Sequence, residues 1–175
     1  MDIRRAATAD APAIASIHVR AWQAAYRGHL PDAFLDRLSA ERREPGWESA
    51  IADPEQRVWV AERGGRMIGF ASTAPSRDQD APPGTGELLT IYLDPEVVGT
   101  GVGRELFAHA VDDLRARGYR RAGLWVLESN VRTRRFYEAA GWHPDGAAKV
   151  EPAGEVELRE IRYVIELHPA SEPAP

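Results

Sequence analysis

The chain has 175 residues, a length typical of one domain, and its 43% hydrophobic content with a net charge of −5 supports a packed core and argues against disorder. Because it contains no cysteine, disulfide frameworks, thiolate zinc sites, iron–sulfur clusters and cysteine nucleophiles are excluded. The mild acidity disfavours nucleic acid as a partner, and neither a membrane span nor a signal peptide is recognisable, so we expect a cytoplasmic protein that does not bind membranes.

The N-terminal part of the chain favours a short strand followed by helices. Residues 1–5 suit the strand, and Thr8 suits a helix cap. The helix after it presents one apolar face at helical spacing, formed by Ile14, Ile17, His18, Ala21, Trp22 and Ala25. A second helical stretch covers residues 31–51, and we expect interruptions near Ser39 and at Pro45–Gly46.

A hairpin and an isolated strand follow. Residues 57–61 and 67–73 have strand-like patterns and flank Gly64–Gly65, which is typical of a tight hairpin turn. Residues 76–86 are rich in proline, glycine and aspartate and predict a surface loop. Residues 87–93 predict the next strand.

The C-terminal half alternates helices and strands. An amphipathic helix ends at Gly118, where a C-cap glycine is preferred, and buries Leu106, Phe107, Ala110, Val111 and Leu114. Residues 124–127 predict a strand buried on both faces, and residues 131–140 a short helix. Residues 156–167 predict a strand with Ile161, Tyr163, Ile165 and Leu167 on one face. We expect a single domain over residues 1–167, a mixed α/β sheet covered by helices, and a flexible tail over residues 168–175.

The first motif with chemical potential is a glycine-rich turn that opens directly into the amphipathic helix. Gly99, Gly101 and Gly103 let backbone N–H groups face a ligand, and the helix N-terminus adds partial positive charge, so the turn suits a polyphosphate. Neither the dinucleotide fingerprint nor the Walker phosphate loop fits the spacing. A plain glycine-rich helix start is the alternative.

The second motif lies about thirty residues downstream. Asn130 lies between a strand and a helix, where its side chain is either an N-cap or a ligand contact. Tyr137 follows two helical turns later, beside Phe136, and each residue taken alone favours packing over catalysis.

Together, and in this order, the two motifs resemble those of the GNAT superfamily of acetyl-CoA-dependent N-acetyltransferases. The family's pyrophosphate loop, Q/R-x-x-G-x-G/A, matches residues 98–103, although Val98 replaces the usual Gln or Arg. The family's later signature matches Asn130, Phe136–Tyr137 and Gly141–Trp142. The resemblance implies a mixed, mostly antiparallel sheet of about seven strands, helices on both faces, and strands four and five splayed to admit acetyl-CoA.

The resemblance also assigns roles in binding acetyl-CoA, which is a co-substrate, without a metal. Ile91 and Leu93 would offer backbone groups to the acetyl and pantetheine arm, and Asn130 would contact that arm from the other side. The pyrophosphate would lie against the loop formed by Val98, Gly99, Thr100, Gly101, Val102, Gly103 and Arg104.

Direct attack of an amine on the thioester needs a base, an oxyanion donor and an acid for the leaving thiolate. The position of Glu87 matches the base of histone-acetylating members, acting through a water, although a solvated strand-edge glutamate is the alternative. Tyr137 suits the acid, and a backbone N–H near Ile91 suits the oxyanion donor. Glu128 is the alternate acidic residue, and Trp125 stands where ribosomal-protein-acetylating members carry their base, which argues against that subfamily.

Candidate acceptor contacts come from the first helix and the loop before the fourth strand. Trp22, Tyr26 and His29 are the expected substrate contacts, with core packing the alternative for Trp22. Asp78 and Asp80 would attract a cationic amine, and the net acidity agrees with a positively charged acceptor.

The histidines show no metal-binding spacing, and His109 with Asp112 and Asp113 is typical of a solvated helix face. We therefore expect an enzyme that acetylates a primary amine of a small molecule, as a monomer or homodimer. Two alternatives stay open: a protein N-terminal or lysine acetyltransferase, and a non-catalytic acyl-CoA-binding module.

Overall fold

The computed structural model describes residues 1–153 and 156–168. Its helices and strands are β1 Asp2–Arg5, α1 Ala11–Tyr26, α2 Asp32–Asp36, α3 Ala40–Ala52, β2 Arg57–Arg63, β3 Arg66–Pro75, β4 Thr85–Leu93, α4 Val102–Ala116, β5 Arg121–Leu127, α5 Val131–Ala139, β6 His143–Ala153 and β7 Val156–Glu166. Among these described helices, none has the length and apolar character needed to cross a bilayer.

The strands form one sheet in the order β1-β2-β3-β4-β5-β7-β6. Its pairs are antiparallel except β4 and β5, which run parallel and pair only from Thr85 opposite Arg121 to Glu87 opposite Gly123. Beyond Glu87, β4 pairs with β3 alone and β5 with β7 alone, so a split opens between the two strands. The predicted seven-stranded fold with splayed fourth and fifth strands is confirmed.

Helices cover both faces of the sheet. The side chains of α4 and α5 pack on one face, around Leu106, Leu114, Leu124 and Tyr163. On the other face α1 and α3 cover β2 and β3 through an apolar cluster that includes Ile14, Ile17, Trp47, Val58, Val60 and Phe70. The predicted core face of α4 is buried, and Gly118 follows the helix with a positive φ of 83°, as a C-terminal glycine should.

Three details of the expected helices are wrong. Helix α3 continues through Pro45 because its later residue Trp47 is buried in the core, and that packing outweighs the lost N–H, a cost of roughly 3 kcal/mol. Helix α1 begins at Ala11, so Thr8 does not cap it and belongs to a short 3₁₀ turn. Ala25 is exposed, because the buried face of α1 narrows toward its end.

Strand β6 was not anticipated from the sequence. It lies at the sheet edge beside β7, mostly exposed, with a register shift between Pro144 and Ala148. Of the expected tail over residues 168–175, only His168 is among the described residues, and it is exposed. The domain boundary stays a prediction.

Candidate active site

The glycine loop lies between β4 and α4, at the open end of the split. Gly99 and Gly101 have φ values of 89° and 93°, a backbone region in which side-chain-bearing residues are strained. A Cβ on Gly103 would lie 3.2 Å from the Leu93 side chain, so a glycine here lets α4 approach β4 closely. The three glycines therefore have two uses, turning the loop and packing the helix.

The same loop presents backbone donors at the N-terminus of α4. Backbone bonding of the helix begins where the Arg104 amide donates to the Gly101 carbonyl, at 3.0 Å. The preceding amides of Val102 and Gly103 have no intrahelical partner, and with the helix dipole they form an anion-binding end. The Thr100 hydroxyl donates to the Val97 carbonyl at 2.7 Å and stabilises the loop.

The remaining loop residues differ in exposure. Val98, in the family's Gln or Arg position, is 46% exposed and offers no polar side chain. Val102 is fully buried and anchors the helix start, whereas Arg104 is exposed and supplies a positive charge beside the anion-binding end.

Asp94 fixes the start of this loop, and sequence reasoning missed it. Its carboxylate is buried and accepts hydrogen bonds from Arg20 and Arg66, each at 2.8 Å, and from the Glu96 amide. Burial opposes ionisation of Asp94, but these hydrogen bonds outweigh it and hold its pKa below the ordinary value. An Asp-Pro sequence after a strand reads only as a turn, so the sequence gives no sign of the two distant arginines.

Glu87 lies where the β4–β5 pairing ends. It is 6% exposed, which excludes the solvated strand-edge alternative. A Cβ on Gly86 would meet Leu114 of α4, so the Glu87 side chain projects to the opposite face of the sheet. Burial raises the pKa of Glu87, and the Arg77 amide, donating to its carboxylate at 3.1 Å, opposes that rise. A carboxylate with a raised pKa is a stronger base than one in water.

A second carboxylate with a raised pKa is Glu160 of β7, which is half-buried. Its pKa is raised by burial and also by repulsion from Glu87, while Lys149, 3.6 Å away, lowers it. Sequence reasoning missed this residue because nothing in the β7 pattern separates it from the other polar positions.

Tyr137 lies on α5 against the core on the α4 side. It is 5% exposed, and its ring contacts Phe107 and Phe136. Burial raises its pKa well above the ordinary tyrosine value, so the phenol keeps its proton at neutral pH. Ile91 and Leu93 are half-buried in the part of β4 that has lost its β5 partner.

Asn130 is the N-cap of α5. Its side-chain oxygen accepts a hydrogen bond from the Thr133 amide at 3.2 Å. The capping interpretation is thus correct for this oxygen, and the contact with the acyl arm stays a prediction.

The three expected acceptor residues have different surroundings. Trp22 and Tyr26 are half-buried and pack edge to face, with centroids 4.9 Å apart, in an apolar cluster that reaches Leu127 of β5 and Leu158 of β7. His29 is exposed after α1. Trp22 and Tyr26 therefore lie beside the split, on the same side of the sheet as Glu87.

The expected attraction of a cationic amine by Asp78 and Asp80 has a competitor within the chain. Arg162 of β7 donates to Asp78 at 3.1 Å and to both oxygens of Asp80 at 2.7 Å. The Trp125 indole also donates to Asp78, at 3.2 Å. These bonds attach the loop before β4 to the sheet and use the charge of the two aspartates internally.

Two further expectations are corrected or refined. Asp113 is not on a solvated face: it is buried, accepts the Thr73 hydroxyl at 2.7 Å and pairs with Arg57. His109 packs edge to face against Trp59, with centroids 4.3 Å apart. Glu128 forms an ion pair with Arg159 at 2.7 Å.

A pocket of about 370 Å³ lies on the Glu87 side of the sheet, between α3 and the middle of β3 and β4. We call it the arginine pocket, and define it by Arg42, Arg43, Trp47, Ser72, Arg77 and Thr90. No cluster of three or more potential metal ligands occurs in residues 1–153 and 156–168.

Comparison with known sequences agrees with this geometry. A sequence model described as the acetyltransferase (GNAT) family matches residues 13–142. An uncharacterized N-acetyltransferase of Bacillus subtilis, YuaI, is 33% identical over 162 residues, which are 91% of this chain and 89% of that protein.

Solved structures share the fold over nearly the whole chain. The ribosomal-protein-alanine N-acetyltransferase of Brucella melitensis has a TM-score of 0.74 and 25% identity, covering 95% of this chain and all of that one (100%). YncA of Salmonella typhimurium, a putative acetyltransferase with its cofactor acetyl-CoA, has a TM-score of 0.72 and 25% identity. The match covers 99% of this chain and 98% of that one.

Proposed function

The chain belongs to the acetyltransferase (GNAT) family and is an acyltransferase that uses acetyl-CoA, and from this premise we propose that it acetylates a primary amine of a small molecule. The observation that carries the proposal is the position of Glu87, a buried carboxylate at the point where β4 and β5 separate. The buried carboxylate and the split both lie on β4, and the glycine loop follows directly after this strand.

We assign binding of the acetyl and pantetheine arm to the unpaired edge of β4. Past Glu87 no described strand pairs with the side of β4 that faces β5, so backbone groups around Ile91 and Leu93 are available to the arm. The pyrophosphate is bound by the amides of the glycine loop and the N-terminus of α4, which suit an anion. Asn130 contacts the arm from the α5 side.

Glu87 accepts a proton from the incoming ammonium through a water, and the neutral amine then attacks the thioester carbonyl. The new carbon–nitrogen bond gives a tetrahedral oxyanion, which a backbone N–H near Ile91 stabilises. Collapse of this oxyanion breaks the carbon–sulfur bond, and Tyr137 donates its phenolic proton to the leaving thiolate, which its raised pKa permits because the proton is still present at neutral pH. The nitrogen releases its second proton to water, and the Tyr137 phenolate takes a proton back from water.

The size of the arginine pocket supports a small acceptor. Its volume of about 370 Å³ is in the range of small-molecule sites. The likeness to a ribosomal-protein-alanine N-acetyltransferase favours a protein acceptor instead, but the family resemblance implies that Trp125 stands where that subfamily carries its base. We therefore rank protein acetylation second.

An amine panel tests the proposal directly. Free thiol is followed after mixing the protein with acetyl-CoA and primary amines, in parallel with mass spectrometry of peptides from a lysate treated with the enzyme. Turnover of small amines supports the proposal, and exclusive modification of peptides supports the protein-acceptor alternative. The expected cytoplasmic location, the monomeric or homodimeric state and the lack of nucleic-acid and membrane partners stay predictions.

A further inference from the structure

The arginine pocket concentrates positive charge in a chain whose net charge is −5. Arg42, Arg43 and Arg77 line it, and no acidic residue does so among the described residues. Within residues 1–153 and 156–168, none of these three arginines has an ion pair, whereas Arg20, Arg66 and Arg162 each pair with an aspartate. Arg43 is half-buried and Arg42 and Arg77 are exposed, so the three guanidinium groups give the pocket a positive lining that an anion would complement.

Arg43 gives the most specific evidence for an anion. Its guanidinium lies over the Trp22 ring at 5.1 Å, and its Nε is buried without a hydrogen-bond partner. Burial also lowers the pKa of Arg43, because no carboxylate compensates the lost hydration. An unpartnered buried donor on a charged group is costly, and an anion held against the Arg43 guanidinium would offset that cost electrostatically.

The rest of the pocket lining is uncharged, and it includes the aliphatic residues Ala50 and Leu89 beside Trp47 and polar groups. The Ser72 and Thr90 hydroxyls hydrogen-bond to each other at 2.7 Å. The Trp47 indole donates to His18 at 3.2 Å, and burial together with Arg43 lowers the pKa of His18 to about 3, so this imidazole is neutral. The positive charge of the pocket therefore comes from its arginines alone.

The pocket adjoins the proposed base. Arg77 contributes its side chain to the pocket and its amide to the Glu87 carboxylate. Thr90 lies on the same strand as Glu87 and directly precedes Ile91, whose backbone we assign to the acyl arm. The pocket therefore lies next to the segment of β4 that carries Glu87 and Ile91.

We propose that the arginine pocket binds an oxyanion, a carboxylate or a phosphate, that the amine acceptor carries in addition to its amine. Arginine matches both groups through paired N–H donors. The acceptor class is then a zwitterionic small molecule, such as an amino acid or an aminoalkyl phosphate. This inference rests on the proposed function.

Matched acceptors test the charge requirement. Amino acids are compared with their amides, and aminoalkyl phosphates with the corresponding amino alcohols, by thiol release. In each pair we expect the anionic member to have the higher kcat/KM, by about 10-fold or more for one charge-assisted interaction. Arg43→Gln and Arg77→Gln should remove that preference by raising KM for the anionic member, with kcat unchanged. Equal acetylation of both members, or equal losses for both in the variants, would overturn the proposal.

The control is Arg63→Gln, the same charge change at an exposed residue at the β2–β3 turn, and it should leave the preference intact. Calorimetry with 2-aminoethyl phosphate, on protein saturated with CoA so that the glycine loop is filled, separates the two proposals. If 2-aminoethyl phosphate binds, Arg43→Gln weakens that binding about 10-fold, and no amine is acetylated, the pocket assignment is kept and acetyl transfer is contradicted. If amines without an anionic group are acetylated and 2-aminoethyl phosphate does not bind, acetyl transfer is kept and the pocket assignment is contradicted.

Discussion

Replacing Gly101 by alanine tests whether the glycine loop binds the pyrophosphate through its backbone. Gly101 has a φ of 93°, and an added Cβ meets nothing within 4 Å, so the effect comes from backbone conformation and not from a clash. Alanine in this region costs roughly 1–2 kcal/mol in stability, and the loop relieves the strain by turning its amides. Loss of one hydrogen bond to a charged phosphate is worth roughly 1.5–3 kcal/mol, which is about a 10- to 150-fold weaker Kd for CoA.

Gly118→Ala is the matched control for Gly101→Ala. Gly118 lies at the other end of α4, with a φ of 83° and equally open space for a Cβ. Urea unfolding should show similar losses of stability in the two variants, whereas calorimetry should show weaker CoA binding for Gly101→Ala alone. Unchanged CoA affinity in Gly101→Ala, or an equal loss in Gly118→Ala, would refute backbone binding by the loop.

Three further predictions concern single side chains. Tyr137→Phe should lower kcat by about 10²-fold or more while leaving the Kd of acetyl-CoA unchanged, and full turnover would remove Tyr137 as the acid. Asn130→Ala removes the cap bond to Thr133 and should destabilise the protein by about 0.5–2 kcal/mol in urea unfolding, with no change in stability contradicting the capping role. Asp113→Ala removes a buried acceptor of the Thr73 hydroxyl, and we expect a loss of about 1.5–3 kcal/mol; a loss under about 0.5 kcal/mol would be inconsistent with that network.

The sequence predicted those parts of the fold in which one face is apolar and one is polar. The buried face of α4 and the inner face of β7 have that pattern, and both predictions are confirmed. Strand β6 has no such pattern because it is an edge strand with a register shift, so no alternation marks it. Pro45 misled the prediction of α3 because local propensity predicts a break, whereas the tertiary packing of Trp47 retains the helix.

The site was predictable where it depends on local backbone and not where it depends on distant partners. The positive φ values of Gly99 and Gly101 follow from residue type in a turn. The Arg162 contacts with Asp78 and Asp80 join residues about eighty positions apart, so nothing near either aspartate reveals that its charge is already neutralised. Charge counted over the whole chain does not show which carboxylates are already paired, so the net acidity alone gives no account of the acceptor side.

The central claim is that Glu87 is the base of an amine acetylation, and the rate of thiol release by Glu87→Gln tests it most directly. Glu160→Gln is the matched control, since Glu160 is a half-buried carboxylate whose pKa is also raised. The wild-type kcat should fall as the pH drops through the pKa of Glu87, with a midpoint above the ordinary glutamate value, because only the carboxylate form accepts a proton.

We predict that Glu87→Gln lowers kcat by about 10²- to 10⁴-fold and removes this acid limb, with acetyl-CoA affinity unchanged and Glu160→Gln active. Full turnover by Glu87→Gln would contradict the assignment of the base. Tight acetyl-CoA binding by the wild type without turnover of any amine would contradict catalysis itself.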